Sequence, residues 1–224
     1  MHYWQLAEAD YAAFQRKIVS DTQYPIVGVR MAHLRKAAKL AAKDQWRFLA
    51  DAEQFSCFED IMVAGLATAY AKVPFLEKRD ALWQLLPKLD SWALTDSIAP
   101  TLDPKEHELP AVWEFAQACV CSDQEYTVRF GIVLLLRYFL TPEYVDRVAQ
   151  MLCRIQDERY YVQMAVAWCF AEMAVQEYAL VEDVLKRGVL SRFTHNKTIQ
   201  KMRESYRILD EWKTAALLLR RKSL

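Results

Sequence analysis

Glycine and proline are scarce in this chain: four and seven among 224 residues, with scarcely any Asn-Gly or Asp-Gly pairs. With 54% of residues hydrophobic, so little hairpin punctuation argues against strands and for packed helices. Cys57, Cys119, Cys121, Cys153 and Cys169 are odd in number and form no Cys-x-x-Cys pair, which excludes a disulfide framework and a zinc site and predicts buried reduced thiols. His2, His33, His107 and His195 are scattered, so no metal-ligand cluster and no cofactor is expected. No apolar run is long enough to cross a bilayer, and Met1-His2-Tyr3-Trp4-Gln5 opens nothing like a signal peptide; a cytoplasmic chain away from membranes is expected. A Gly-rich phosphate loop, a nucleophile elbow and a Cys/His dyad are all missing, which removes enzymology by those routes.

Net charge is also absent, but the zero conceals segregation. Residues 1–50 carry 8 basic and 4 acidic groups, 51–140 carry 7 and 14, 141–190 carry 5 and 8, and 191–224 carry 9 and 3. Basic ends can attract phosphate, while a neutral total predicts weak, strongly salt-sensitive binding.

What is present is helical periodicity. Tyr11, Phe14 and Ile18 mark a short first helix, ended by Asp21-Thr22-Gln23-Tyr24-Pro25. Ile26-Val27-Gly28-Val29-Arg30 is an apolar hinge. Over Met31–Lys43 the spacing turns Leu34, Ala37, Ala38 and Ala41 inward and Arg35, Lys36, Lys39 and Lys43 outward. Further helices are predicted over Phe58–Lys72, Phe75–Leu86, the Trp92 stretch to Pro100, the segment around Val112, Trp113, Phe115 and Ala116, and Gln124–Leu140 capped by Ser122-Asp123. Thr141-Pro142 opens another, Tyr160–Ala174 forms a further hydrophobic one, and the last runs from Thr194 to about Ile208.

A repeat runs through them. Ile61 and Ala64, Val128 and Gly131, and Val162 and Ala165 each set a β-branched residue three before a small one, at intervals of 67 and 34 residues. Units of this length suggest an all-α α-solenoid, each repeat packing on its neighbours, with inner helices lining a concave groove. A single domain over 1–224 is expected, with 210–224 as a flexible basic tail.

Asp90-Ser91-Trp92-Ala93-Leu94-Thr95-Asp96 stands out within this frame. On a helix, the Trp92 indole and the Asp96 carboxylate, four residues apart, share one face. Carboxylate charge beside an aromatic quadrupole suits a cation, with neither group required as a nucleophile. Read without any further context, the same residues are core and helix cap: Trp92 and Trp168 buried, Asp96 paired with Arg129.

From Gly28 to Arg207 the chain resembles the DNA alkylation repair (AlkD-like) family of HEAT-like-repeat DNA glycosylases. Four stretches carry the likeness: Gly28-Val29-Arg30-Met31-Ala32-His33-Leu34-Arg35; Asp90 to Asp96; Ser122-Asp123 through Val128-Arg129-Phe130-Gly131; and Tyr160-Tyr161-Val162 through Ala165-Val166-Ala167-Trp168. The resemblance implies HEAT-like repeats and hydrolysis of the N-glycosidic bond of cationic N3- or N7-alkylpurines in duplex DNA. It implies Asp96, Trp92, Trp168 and Arg129 as the catalytic set. Asp96 would stabilise an oxocarbenium-like sugar and orient water, the two indoles would wall sugar and base, and Arg129 would hold the neighbouring phosphate. Arg30, Arg35, Lys39, Lys197, Lys201 and Arg203 are the expected nucleic-acid contacts, alkylated double-stranded DNA the expected partner, and a monomer the expected state.

The chain departs from the family at Gln163, Met164 and Ala171, where basic residues are common, and in its short stretch before the hinge, which resembles an N-terminally shortened branch. The alternative is a non-catalytic HEAT-repeat module binding nucleic acid or protein.

Overall fold

The computed structural model describes residues 3–51 and 55–222. Among the described residues there are thirteen α-helices and no strand: α1 (Ala9–Ile18), α2 (Met31–Ala41), α3 (Trp46–Ala50), α4 (Phe58–Tyr70), α5 (Phe75–Leu85), α6 (Trp92–Ile98), α7 (Leu109–Val120), α8 (Glu125–Tyr138), α9 (Val145–Arg154), α10 (Tyr160–Met173), α11 (Tyr178–Arg187), α12 (Arg192–Glu204) and α13 (Asp210–Leu218). The all-α helical-repeat class expected from composition and spacing is the class observed. The described chain forms two compact units, Met1–Gly131 and Ile132–Leu224.

In the first unit α2 packs on α4 and α4 on α6, while α3 packs on α5 and α5 on α7, so alternate helices form two layers. The sequence reason is plain in α2, whose buried residues are Leu34, Ala37, Ala38 and Ala41, the predicted inward face. Alanine at three of those four positions lets α4 approach closely. Gly131 on α8 has the same effect against α7, because an added Cβ would stand 2.8 Å from the Ala116 carbonyl oxygen and 2.8 Å from Cys119 Cβ. Phe115 anchors the aromatic part of this core edge-on to Phe75, Trp83 and Phe130 at centroid distances of 5.7, 4.8 and 6.4 Å.

In the second unit α10 packs on α12, and α9, α11 and α13 follow one another alongside. Val145, Val148, Ala149 and Leu152 bury the apolar stripe of α9; Val181, Val184 and Leu185 bury that of α11. All six repeat positions are buried in their own units: Ile61, Ala64, Val128 and Gly131 in the first, Val162 and Ala165 in the second.

Several expectations change. Phe14 and Ile18 on α1 are 56% and 46% exposed, so the stripe that marks the helix is not its buried face; Ala12 is. Thr141-Pro142 forms a turn ahead of α9, with the Thr141 carbonyl accepting from the amides of Tyr144 and Val145. Cys57, Cys119 and Cys169 are buried free thiols, but Cys153 is half-buried and Cys121 exposed. Burial pushes the Cys57 thiol up to about 12. Gln163 and Ala171 are buried on α10, Gln163 donating to Ser191 Oγ at 3.2 Å, so neither occupies an open strip where a cation would sit. The C-terminal stretch is largely helical: α13 covers Asp210–Leu218, and Asn196 then exchanges two hydrogen bonds with the Arg221 backbone, 2.8 and 2.9 Å.

Candidate functional site

Ser91 ends the Leu89–Ser91 approach in an extended conformation, and its Oγ accepts the Ala93 amide at 3.2 Å, so α6 begins at Trp92 as a capped helix. A second acceptor reaches the same terminus from far away in sequence. Asp21 Oδ2 accepts the Trp92 amide at 3.0 Å and the Tyr126 hydroxyl at 2.7 Å, while Ser91 Oγ donates to Asp21 Oδ1 at 3.3 Å. An anion at a helix start is favoured by the unpaired amides and the helix dipole. One carboxylate thereby joins the segment after α1 to the start of α6 and to α8.

Asp90 secures the other side of that segment, accepting from Thr22 Oγ1 at 2.8 Å and the Gln23 amide at 2.7 Å. Burial raises the Asp90 carboxyl above its ordinary value, opposed by these hydrogen bonds. Glu59 on α4 is fully buried and accepts the amides of Val27, Gly28 and Val29 at 3.1, 2.7 and 3.3 Å. The apolar hinge is thus held by a carboxylate. Gly28 there has φ +88°, and a Cβ would lie 2.6 Å from the Ala12 amide nitrogen.

One helical turn beyond Trp92, the Asp96 carboxylate meets Arg129 from α8. Nε donates to Oδ1 at 2.9 Å and Nη2 to Oδ2 at 2.7 Å, a bidentate arrangement, while the single Thr95 hydroxyl hydrogen is shared between the Trp92 carbonyl oxygen at 2.9 Å and Asp96 Oδ1 at 3.1 Å. The Arg129 side chain is 7% exposed and that of Asp96 18%. The guanidinium is therefore enclosed, and the carboxylate keeps the solvent-facing share of the pair. Trp92 is half-buried at the head of the same helix.

Of the residues expected to act together, Trp92, Asp96 and Arg129 lie in the first unit, and the ion pair joins the last two. Trp168 lies in the second unit on α10, half-buried, its Nε1 donating to Glu172 Oε1 at 3.4 Å; Glu172 is also ion-paired with Arg207. The expected nucleic-acid contacts are distributed differently from a simple basic face. Arg30 is bound at both nitrogens by Glu8, 2.7 and 2.8 Å, and Arg35 donates to the Tyr70 hydroxyl at 2.8 Å. The Lys39 ammonium lies 5.3 Å from the centroid of that same tyrosine ring. On α12, Lys197 sits 5.6 Å from the Phe193 ring centroid, Lys201 is half-buried and Arg203 is exposed.

Sequence reasoning missed Asp21 and Tyr126. Asp21 stands in a stretch read as a helix stop, 70 residues from Ser91, and no local pattern announces a cap supplied at that range. Ser91 directly before an apolar helix is the local signal that could have found the terminus itself.

The family profile described as DNA alkylation repair enzyme matches residues 4–206. The chain belongs to this family. No curated protein and no solved structure matches it. Family membership gives the chain a role in DNA alkylation repair, with DNA as the partner that role implies. The match runs through the first unit from residue 4 and into the second as far as residue 206, including Trp92, Asp96, Arg129 and Trp168. Among the described residues no group of His, Cys, Asp and Glu side chains is placed to hold a metal ion, and no helix is long and apolar enough to cross a membrane.

Proposed function

We propose that this DNA alkylation repair protein hydrolyses the N-glycosidic bond of cationic N3- or N7-alkylpurines in duplex DNA. The observation that carries the reading is the Asp96 carboxylate, fixed at both oxygens by Arg129 yet still 18% exposed at its side chain. An alkylated purine departs with the bonding pair and leaves as a neutral base, so the barrier lies in the positive charge that develops on the deoxyribose. A carboxylate held beforehand stabilises that charge without reorganising, and it can orient the water whose oxygen attacks C1′. Trp92, one turn earlier on α6, offers a π face to the same cationic species. Arg129 holds both oxygens of Asp96 and so fixes its orientation.

The ion pair also favours a second reading, a DNA-binding module without catalysis. A guanidinium that engages both oxygens of Asp96 neutralises the charge that catalysis would use, and it is occupied where a phosphate contact was expected.

Release of 7-methylguanine from methylated duplex DNA separates the two. Asp96→Asn keeps the shape and removes the charge; the glycosylase reading expects a loss of about a hundredfold or more in the release rate. Equal release by wild type and variant removes Asp96 from the mechanism, and duplex binding with no release by the wild type selects the module.

A further inference from the structure

Seven of the sixteen arginines of this protein are neutralised locally by an acid. Arg30, Arg47, Arg79, Arg129, Arg159, Arg187 and Arg207 each pair with a carboxylate. Arg192, Arg203 and Arg220 pair with none among the described residues, and all three line one groove formed by α12 and α13, with a volume of about 690 Å³. Lys197 lines it as a fourth cation. Glu204 is the one acid in the lining, and its carboxylate accepts from Gln200 Nε2 at 2.8 Å. Four cations gathered around a single acid repel one another, and an external polyanion relieves that repulsion.

The groove has an aromatic border. Phe193 lines it with 37% of its surface exposed, and Tyr160, 52% exposed, stands with its ring centroid 5.7 Å away. Two exposed rings beside a run of cations match the requirements of a nucleic-acid strand whose bases are unpaired. The phosphates take the guanidinium groups, and a base can stack only where its face is free, which a duplex does not offer. We infer that the α12–α13 groove binds single-stranded DNA through its phosphodiester backbone, with Phe193 and Tyr160 as the stacking surface. The inference rests on DNA being the partner class of the family and adds a strand state and a location in the second unit.

Fluorescence anisotropy of the full chain with a fluorescein-labelled oligothymidylate of about fifteen nucleotides tests it. Arg192→Glu combined with Arg220→Glu is expected to weaken binding about tenfold or more and to flatten the dependence on salt, because fewer counterions are released. Phe193→Ala is expected to weaken binding several-fold while leaving the salt slope unchanged, the mark of a stacking contact. Wild-type affinity in the charge-reversed variant overturns the site. So does full affinity in Phe193→Ala together with equal binding of an oligoglutamate, since the groove would then be a general anion patch. Release of methylpurine by the same wild-type preparation is read separately: oligothymidylate binding through this groove with no release overturns the glycosylase reading and leaves the groove standing.

Discussion

Arg129 grips both oxygens of Asp96, at 2.9 and 2.7 Å, and so ties α8 to the one-turn point of α6. A pair this enclosed carries a large desolvation cost, repaid only while both partners are present. Breaking it from one side strands a charge. Asp96→Leu or Arg129→Met alone is therefore expected to cost about 3 kcal/mol or more in urea unfolding, and the double variant less than the sum. A double-mutant cycle with a coupling of about 1 kcal/mol or greater is the expected result; additive losses would mean that the two side chains do not stabilise one another.

Asp21 supports α6 from the opposite end, with Trp92 and Tyr126 as its donors. Asp21→Asn keeps the volume but presents an amide N–H where donors already converge. A cap lost in this way is worth about 1 kcal/mol, and the Tyr126→Phe variant isolates the hydroxyl's share at a similar or smaller figure. Thermal unfolding of both variants checks this. Asp21→Asn should be the more harmful, since it replaces one of the two oxygens that serve three donors and removes the charge at the helix start, whereas Tyr126→Phe removes one donor.

The hinge is stiffened from within. Gly28→Ala faces two penalties, a left-handed φ of +88° and a Cβ placed 2.8 Å from that of Ala12, and should destabilise the first unit by about 2 kcal/mol or more. Glu59→Gln, which turns an amide N–H toward backbone N–H groups, should cost about 1 to 3 kcal/mol. Chemical denaturation of the two variants measures both. Unchanged midpoints would show that the hinge relaxes freely and that neither residue fixes it.

How much of this was legible in the sequence depends on the range over which each interaction acts. The inward face of α2 follows from spacing alone, because Leu34, Ala37, Ala38 and Ala41 recur with the helical period and their burial is a local consequence. That Trp92 and Asp96 lie four residues apart on one helix is likewise a local matter. The engagement of Asp96 by Arg129 spans 33 residues, and the residue types permit it without specifying it. Asp21 at α6, Glu59 at the hinge and Arg221 at Asn196 are beyond periodicity altogether, since their partners are backbone groups that any sequence supplies. Phe14 and Ile18 show the converse failure: their spacing gives the helix, but which face is covered depends on where Ala12 meets Gly28.

A pH effect follows from His195 in the second unit. Its ring is buried, with Nε2 2.8 Å from the Leu219 carbonyl oxygen and Nδ1 enclosed without a hydrogen bond. The carbonyl needs a donor, so the neutral ring carries its proton on Nε2. Burial lowers the His195 pKa below 6.5 and the nearby Arg221 cation lowers it further, against the Leu219 carbonyl, which favours the charged ring. The unfolded chain therefore binds more protons than the folded one between the depressed value and 6.5. Stability contributed by the neutral ring is complete above that window and is lost as pH falls through it. His195→Gln retains an N–H for Leu219 and cannot titrate. The difference in thermal midpoint between wild type and His195→Gln should shift against the wild type as pH is lowered from about 7 to about 5. Parallel curves over that range would mean that this imidazole keeps the same proton occupancy folded and unfolded.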